Sequence, residues 1–215
     1  MIEAVIFDLD GTLLNTCDDL GAALNHTLQL HGMPCVPKEV YSPAISNGVQ
    51  ALLEVGFKDS LENHDLSALK KSVLDYYASN IAVFSHCFEG IGALLDALGN
   101  RNIKVGIMTN KPTFLTMPLL QHIEELKHIE VVVCGDTLDE AKPSPKPLLH
   151  VAEQLGVQPN ACYYVGDAAR DIEAAKAANM HSVAALWGYV PSEEVALSWQ
   201  ADLNLTNPES LISHI

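Results

Sequence analysis

Apolar positions along this chain follow two patterns in turn. Short unbroken runs, Ile2–Asp8, Ile103–Asn110, Val131–Cys134, Cys162–Asp167 and Ser182–Gly188, have the length and continuity of strands covered on both faces. Between them, Ile91–Leu98, Leu115–Ile123, Pro147–Leu155 and Asp171–Ala178 carry apolar residues at helical spacing, and Gly156 is placed to stop the third. Asn207 before Pro208 and Glu209 reads as the cap of one more helix. Strands alternating with helices predict a parallel sheet with helices on both faces. The rhythm breaks between about Cys17 and Ser85. There "DDLGAALNHTLQLHG", "GVQALLEVGF" and "LSALKKSVLDYYASNIAVF" are all helical, with Leu20, Leu24 and Leu28 on one side of the first. The pattern therefore predicts an α/β core with a Rossmann-like parallel sheet, residues 1–15 and 86–215, and an inserted all-helical domain over residues 16–85.

Charge narrows the partners. Twelve basic residues stand against 27 acidic ones, for a formal net charge of −15. No basic cluster exists to hold a nucleic-acid backbone or an anionic membrane, so neither is an expected partner. Asp8 and Asp10 break the first apolar run, which rules out a signal peptide, and no uncharged run is long enough to span a bilayer. The five cysteines are scattered without a C-x-x-C pair, as free thiols would be, and a cytoplasmic location is expected.

The chemistry is concentrated where the strands end. Ligands of open parallel sheets bind at the carboxyl ends of the strands. The first run delivers Asp8 and Asp10, the second Thr109 and Asn110, and the fourth Asp167. Lys142 follows the third, and Asp171 lies about one helical turn beyond Asp167. Clustered carboxylates repel one another, and Mg²⁺, which prefers oxygen ligands, relieves the repulsion and screens an approaching phosphate dianion. Alternate side chains of an extended strand point the same way, so Asp8 and Asp10 can flank one phosphorus atom. Gly11 permits a sharp turn that the Thr12 hydroxyl can tie down.

At these residues the chain resembles the haloacid dehalogenase superfamily, in its phosphoglycolate phosphatase-like branch with a helical cap. "DLDGT", "MTN", "KPSPKP" and "VGDAARDIEAAKAANM" are similar to the four motifs of that family, and the resemblance covers essentially the whole chain. It implies that Asp8 is the nucleophile, taking the phosphoryl group as an aspartyl phosphate, and that Asp10 is the acid and then the base. It further implies that Thr109 and Lys142 hold phosphate oxygens, with the backbone N–H groups of Thr109 and Asn110 assisting, and that Asp8, the Asp10 carbonyl and Asp167 bind Mg²⁺. Asp171 would hold the lysine or a metal-bound water. The cap would close over the substrate, hinging near Leu14–Cys17 and Ser85–Phe88. Three positions depart from the pattern: Ala168 where Ser or Thr is common, Asn179 for a glycine, and Asn15 for an aspartate.

The implied substrate is a small phosphorylated metabolite. "SNGVQALLEVGF" resembles the cap stretch of phosphoglycolate phosphatases, which makes Asn47 and Gly48 candidates for substrate contact and implies conversion of 2-phosphoglycolate to glycolate and phosphate. "NIAVFSHCFEG", "TNKPTFLTMPLL" and "WGYVPSEEVALSWQAD" are instead similar to N-acetylmuramic acid 6-phosphate phosphatases, and Trp187, Tyr189 and Trp199 are candidates for a sugar site or for the core. The second aspartate argues against a dehalogenase. A β-phosphoglucomutase-like phosphotransferase, a phosphonate hydrolase with one of Lys38, Lys58, Lys70 or Lys71 as its Schiff-base lysine, and a catalytically silent metal- or partner-binding protein are further alternatives.

Overall fold

A computed structural model describes residues 1–215. In chain order it contains β1 (Ala4–Phe7), β2 (Leu14–Asn15), α1 (Cys17–Leu30), α2 (Lys38–Tyr41), α3 (Gly48–Phe57), α4 (Leu66–Ser79), β3 (His86–Cys87), α5 (Ile91–Asn100), β4 (Lys104–Met108) and α6 (Thr113–His122). There follow β5 (Val131–Val133), α7 (Lys146–Leu155), β6 (Cys162–Gly166), α8 (Ala169–Ala177), β7 (His181–Ala185), α9 (Glu193–Ser198), β8 (Leu203–Leu205) and a closing 3₁₀ turn, Pro208–His214. Asn207 caps that last turn by accepting from the Ser210 amide, so the expected helix is present in its tighter form.

Six strands form one sheet in the order β5-β4-β1-β6-β7-β8, every neighbouring pair parallel. The pattern of apolar runs predicts five of them. The sixth, β8, has only three residues, with Asn204 in the middle, too little apolar sequence to register as a run. It is pinned from outside its own pattern: Asp202 accepts from the Ser182 amide (2.7 Å) and hydroxyl (2.8 Å). Side chains of β1 alternate between two buried layers. Val5 and Phe7 pack with Leu94, Leu98 and Leu119 under α5 and α6, while Ala4 and Ile6 pack with Leu148, Val151 and Ala174 under α7 and α8. Burial on both faces is why β1 reads as an unbroken apolar run.

The inserted helices build their own core. Leu24 and Leu28 of α1 meet Leu52, Leu53 and Phe57 of α3 and Leu69, Val73 and Tyr77 of α4. α1 stops in a Schellman arrangement at Gly32 (φ +69°), with the Met33 amide on the Leu28 carbonyl and the Gly32 amide on that of Gln29. α4 begins at Asp65, which accepts from the amides of Ser67 and Ala68. The chain leaves and re-enters the sheet domain through a two-stranded antiparallel link, Leu14 opposite Cys87 and Asn15 opposite His86. Buried Asp19 secures the return crossing by accepting from the Phe84 and Ser85 amides and the Ser85 hydroxyl. No helix is long and apolar enough to cross a membrane.

Candidate active site

β1 is central because β4 lies on one side of it and β6 on the other, so the connections depart in opposite directions and leave a crevice at its carboxyl end. Directly after Phe7 the Asp8 amide donates to the Val165 carbonyl (2.9 Å), holding the acid at that crevice. The backbone then turns tightly, with the amides of Leu13 and Leu14 on the Leu9 carbonyl and Gly11 at φ +83°. A Cβ at position 11 would stand 2.1 Å from Asp167 Oδ2, so glycine is needed for space as well as for conformation.

One face of the crevice is a buried acidic cluster. Donor oxygens of Asp8, Asp167 and Asp171 lie within 4.8 Å of one another. The fully buried Lys142 ammonium serves two of them, at 3.0 Å from Asp8 Oδ1 and 2.8 Å from Asp171 Oδ1, and also donates to the Tyr164 hydroxyl (2.7 Å). Asp8 Oδ1 accepts from the Leu9 amide as well (2.7 Å). Asp171 caps α8 by accepting from the Ala168 amide (2.9 Å), which supplies the terminus of that helix although Ala168 has no hydroxyl. Burial pushes the Asp8 carboxyl up to about 6 against the pull of Lys142. Asp167 is pushed up to about 7 by burial and then by the charges of Asp171 and Asp8. Such a set suits a hard divalent cation: the donors are all oxygen, and a positive charge would remove the repulsion that burial aggravates.

Asp10 belongs to a different group. Its Oδ1 accepts from the Thr16 hydroxyl (2.7 Å), and Lys111 Nζ reaches both its oxygens, at 3.0 and 3.1 Å. Lys111 also donates to the Tyr77 hydroxyl (3.0 Å), a residue of α4, and lies 4.4 Å from that ring's centre. Burial disfavours the Lys111 ammonium, but Asp10 and then Tyr77 more than offset it and hold the group above the ordinary lysine range. One lysine thus ties the acid of the sheet domain to the inserted helices.

The other expected residues separate into those at the crevice and those that build it. Thr109 is buried at the end of β4, beside Asp8 in the cavity wall, with its hydroxyl accepting from the Lys111 amide. Asn110 also lines the cavity, but its side-chain amide is spent on the backbone of residue 142, giving to the Lys142 carbonyl and accepting from its amide, both at 3.0 Å. Thr12 is buried near Asp167 (3.5 Å), and its carbonyl accepts from Trp187 Nε1. Gly48 faces the cavity; Asn47 is exposed and lines an outer groove with Val40 and Pro43. The inward residue of that stretch is Ser46, whose hydroxyl donates to Asp167 Oδ2 at 2.6 Å. Tyr189 takes part in the framework, its amide on Asp167 Oδ2 and its hydroxyl between the Thr16 amide and Asn15 Oδ1, whereas Trp199 lies away from the cavity. Asn179 adopts φ +58°, the left-handed conformation that lets it replace a glycine.

Between the two bodies lies a cavity of about 260 Å³. Asp8, Asp10, Thr109, Lys111 and Arg170 line its floor, and Leu20, Ile45, Val49, Leu52 and Leu74 its roof. Lys111 and Arg170 are absent from the sequence-based set. Each sits beside a motif residue, in "MTNK" and "GDAARD", but adjacency alone does not tell a lysine in the cavity from one in solvent.

A family model for haloacid dehalogenase-like hydrolases matches residues 5–185. A phosphoglycolate phosphatase of Xanthomonas campestris pv. campestris is 41% identical over 209 residues, covering 97% of this chain and 94% of that protein. An N-acetylmuramic acid 6-phosphate phosphatase of Pseudomonas aeruginosa is 34% identical over 211 residues, covering 98% and 93%. In fold, the chain matches a crystal structure described as a predicted phosphoglycolate phosphatase from Haemophilus somnus 129pt, with a TM-score of 0.88 at 24% identity, covering 99% and 97% of the two chains.

Proposed function

The chain belongs to the haloacid dehalogenase-like hydrolases and is a phosphatase of that family, and we propose that it hydrolyses a small phosphate monoester through a phosphoenzyme formed on Asp8, with Mg²⁺ as cofactor. The observation that carries this reading is the position of Asp8. It lies on the floor of a cavity, with Lys142 and two further carboxylates on one side and Asp10 in the same floor.

Asp8 Oδ1 is held by Lys142 and the Leu9 amide, which leaves Oδ2 to attack phosphorus. The new O–P bond forms as the ester P–O bond breaks, and Asp10 acts as the acid that delivers a proton to the departing alkoxide. In the second half Asp10 takes a proton from water as that water attacks phosphorus, releasing phosphate and restoring Asp8. Thr109 and Lys142 hold phosphoryl oxygens. Asp8, Asp167 and the Asp10 carbonyl would hold Mg²⁺, whose charge would offset that of the carboxylates and the phosphoryl oxygens. Asp171 keeps Lys142 in place, and the apolar roof excludes bulk water from the reacting atoms.

Similarity to the Xanthomonas enzyme supports 2-phosphoglycolate as substrate, yielding glycolate and phosphate. A second reading, N-acetylmuramic acid 6-phosphate, is favoured by the cavity itself. Its leucine- and valine-lined roof exceeds the needs of a two-carbon acid and suits a ligand with methyl groups to bury. The test is Mg²⁺-dependent hydrolysis of p-nitrophenyl phosphate with Asp8→Asn and Asp10→Asn, then a kcat/KM ranking of both esters. Asp8→Asn should be inactive, and Asp10→Asn should bind phosphate but turn over slowly. Equal inertness of wild type and Asp8→Asn across a series of divalent metals would exclude the mechanism.

A further inference from the structure

Among the cations in or beneath the cavity, Lys142 and Lys111 are each committed to carboxylates of the protein. Arg170 is not. It makes no ion pair and no side-chain hydrogen bond, although it lines the cavity beside Asp8, and its Nε is buried without an acceptor. Only one other buried side-chain atom lacks a partner, Asn204 Oδ1, at the far edge of the sheet. A buried guanidinium N–H left unpaired is costly, and the geometry that satisfies it best is a planar anion taking two parallel N–H bonds.

The transferred phosphoryl group already has Thr109 and Lys142. The roof is apolar, and the Ser46 hydroxyl is spent on Asp167. A second charged group on the ester therefore has Arg170 as its unclaimed partner. Resting on the phosphatase reading above, we propose that Arg170 is the specificity-determining residue of this cavity and that it selects phosphate monoesters carrying a carboxylate. Both substrates considered above are acids, so the proposal predicts what they share and does not choose between them.

The experiment uses two matched pairs of esters with the full chain and Mg²⁺. One pair is 2-phosphoglycolate and ethyl phosphate, in which a methyl group replaces the carboxylate. The other is N-acetylmuramic acid 6-phosphate and N-acetylglucosamine 6-phosphate, which lacks the lactyl acid. Wild type should prefer the carboxylated member of whichever pair it turns over. Arg170→Gln should lower that preference by about 10- to 100-fold, the range for a charge-assisted hydrogen bond, and should do so chiefly through KM. Arg170→Lys, which keeps the charge but loses the fork, should recover part of it. Melting within about 2 °C of wild type would show that the variants fold. A parallel fall on both members of a pair would assign Arg170 to the transferred phosphoryl group and overturn the proposal, as would an unchanged preference. Inertness of wild type toward all four esters while p-nitrophenyl phosphate is still hydrolysed would overturn the proposal, and inertness toward that ester as well would instead remove the phosphatase reading beneath it.

Discussion

Lys142→Met isolates the electrostatic device on which the crevice depends. The ammonium is fully buried, 3.0 Å from Asp8 and 2.8 Å from Asp171, with Asp167 in the same cluster. Methionine fills much of the space left by the stem but supplies no charge, so buried carboxylates lose their counter-ion. Removing one partner of a buried ion pair costs about 3–5 kcal/mol. In a chain of this size each kcal/mol moves the melting temperature by about 2–4 °C, so the variant should melt on the order of 6–20 °C below wild type. The assay is thermal unfolding by circular dichroism in EDTA, so that no cation replaces the lysine. Adding Asp171→Asn removes one of the stranded charges while still accepting from the Ala168 amide. The double variant should therefore be more stable than additivity predicts, by about 0.5–3 kcal/mol. A Lys142→Met protein that melts within about 2 °C of wild type, or strict additivity in the double variant, would show that Lys142 is not the counter-ion of this cluster.

Gly11→Ala places a methyl 2.1 Å from Asp167 Oδ2 at φ +83°; it should cost about 1–3 kcal/mol by chemical denaturation and reduce metal-dependent turnover. Mg²⁺ at 100 times its dissociation constant should stabilise the protein by about 2.7 kcal/mol, and Asp167→Asn should remove most of that gain. An equal shift with sodium chloride at matched ionic strength would show screening in place of site binding. Asp19→Ala strands the Phe84 and Ser85 amides and should cost about 1–3 kcal/mol, with faster proteolysis near the exposed Val83 and Phe84.

The class of fold is written in local signals of the sequence, the alternation of apolar runs with helical spacing. An apolar run that stops at an acid marks a buried strand delivering a carboxylate to the sheet edge, and Asp8 and Asp167 are legible as buried strand-end acids on that ground. β8 was not legible, since a three-residue edge strand is held by pairing with β7 and by Asp202 more than by its own composition. The division of labour among charged groups was likewise decided only in three dimensions. Whether a lysine meets an aspartate 101 positions away, as Lys111 meets Asp10, or whether Ser46 turns inward while Asn47 faces solvent, depends on how the inserted helices dock over the sheet. Docking of that kind is fixed by packing between distant segments, through contacts such as Tyr77 against Lys111 and Leu115 within the helical core. Residue spacing records which side chains share a helix or a strand. It does not record which unpaired cation, here Arg170, is left lining the cavity between the inserted helices and the sheet.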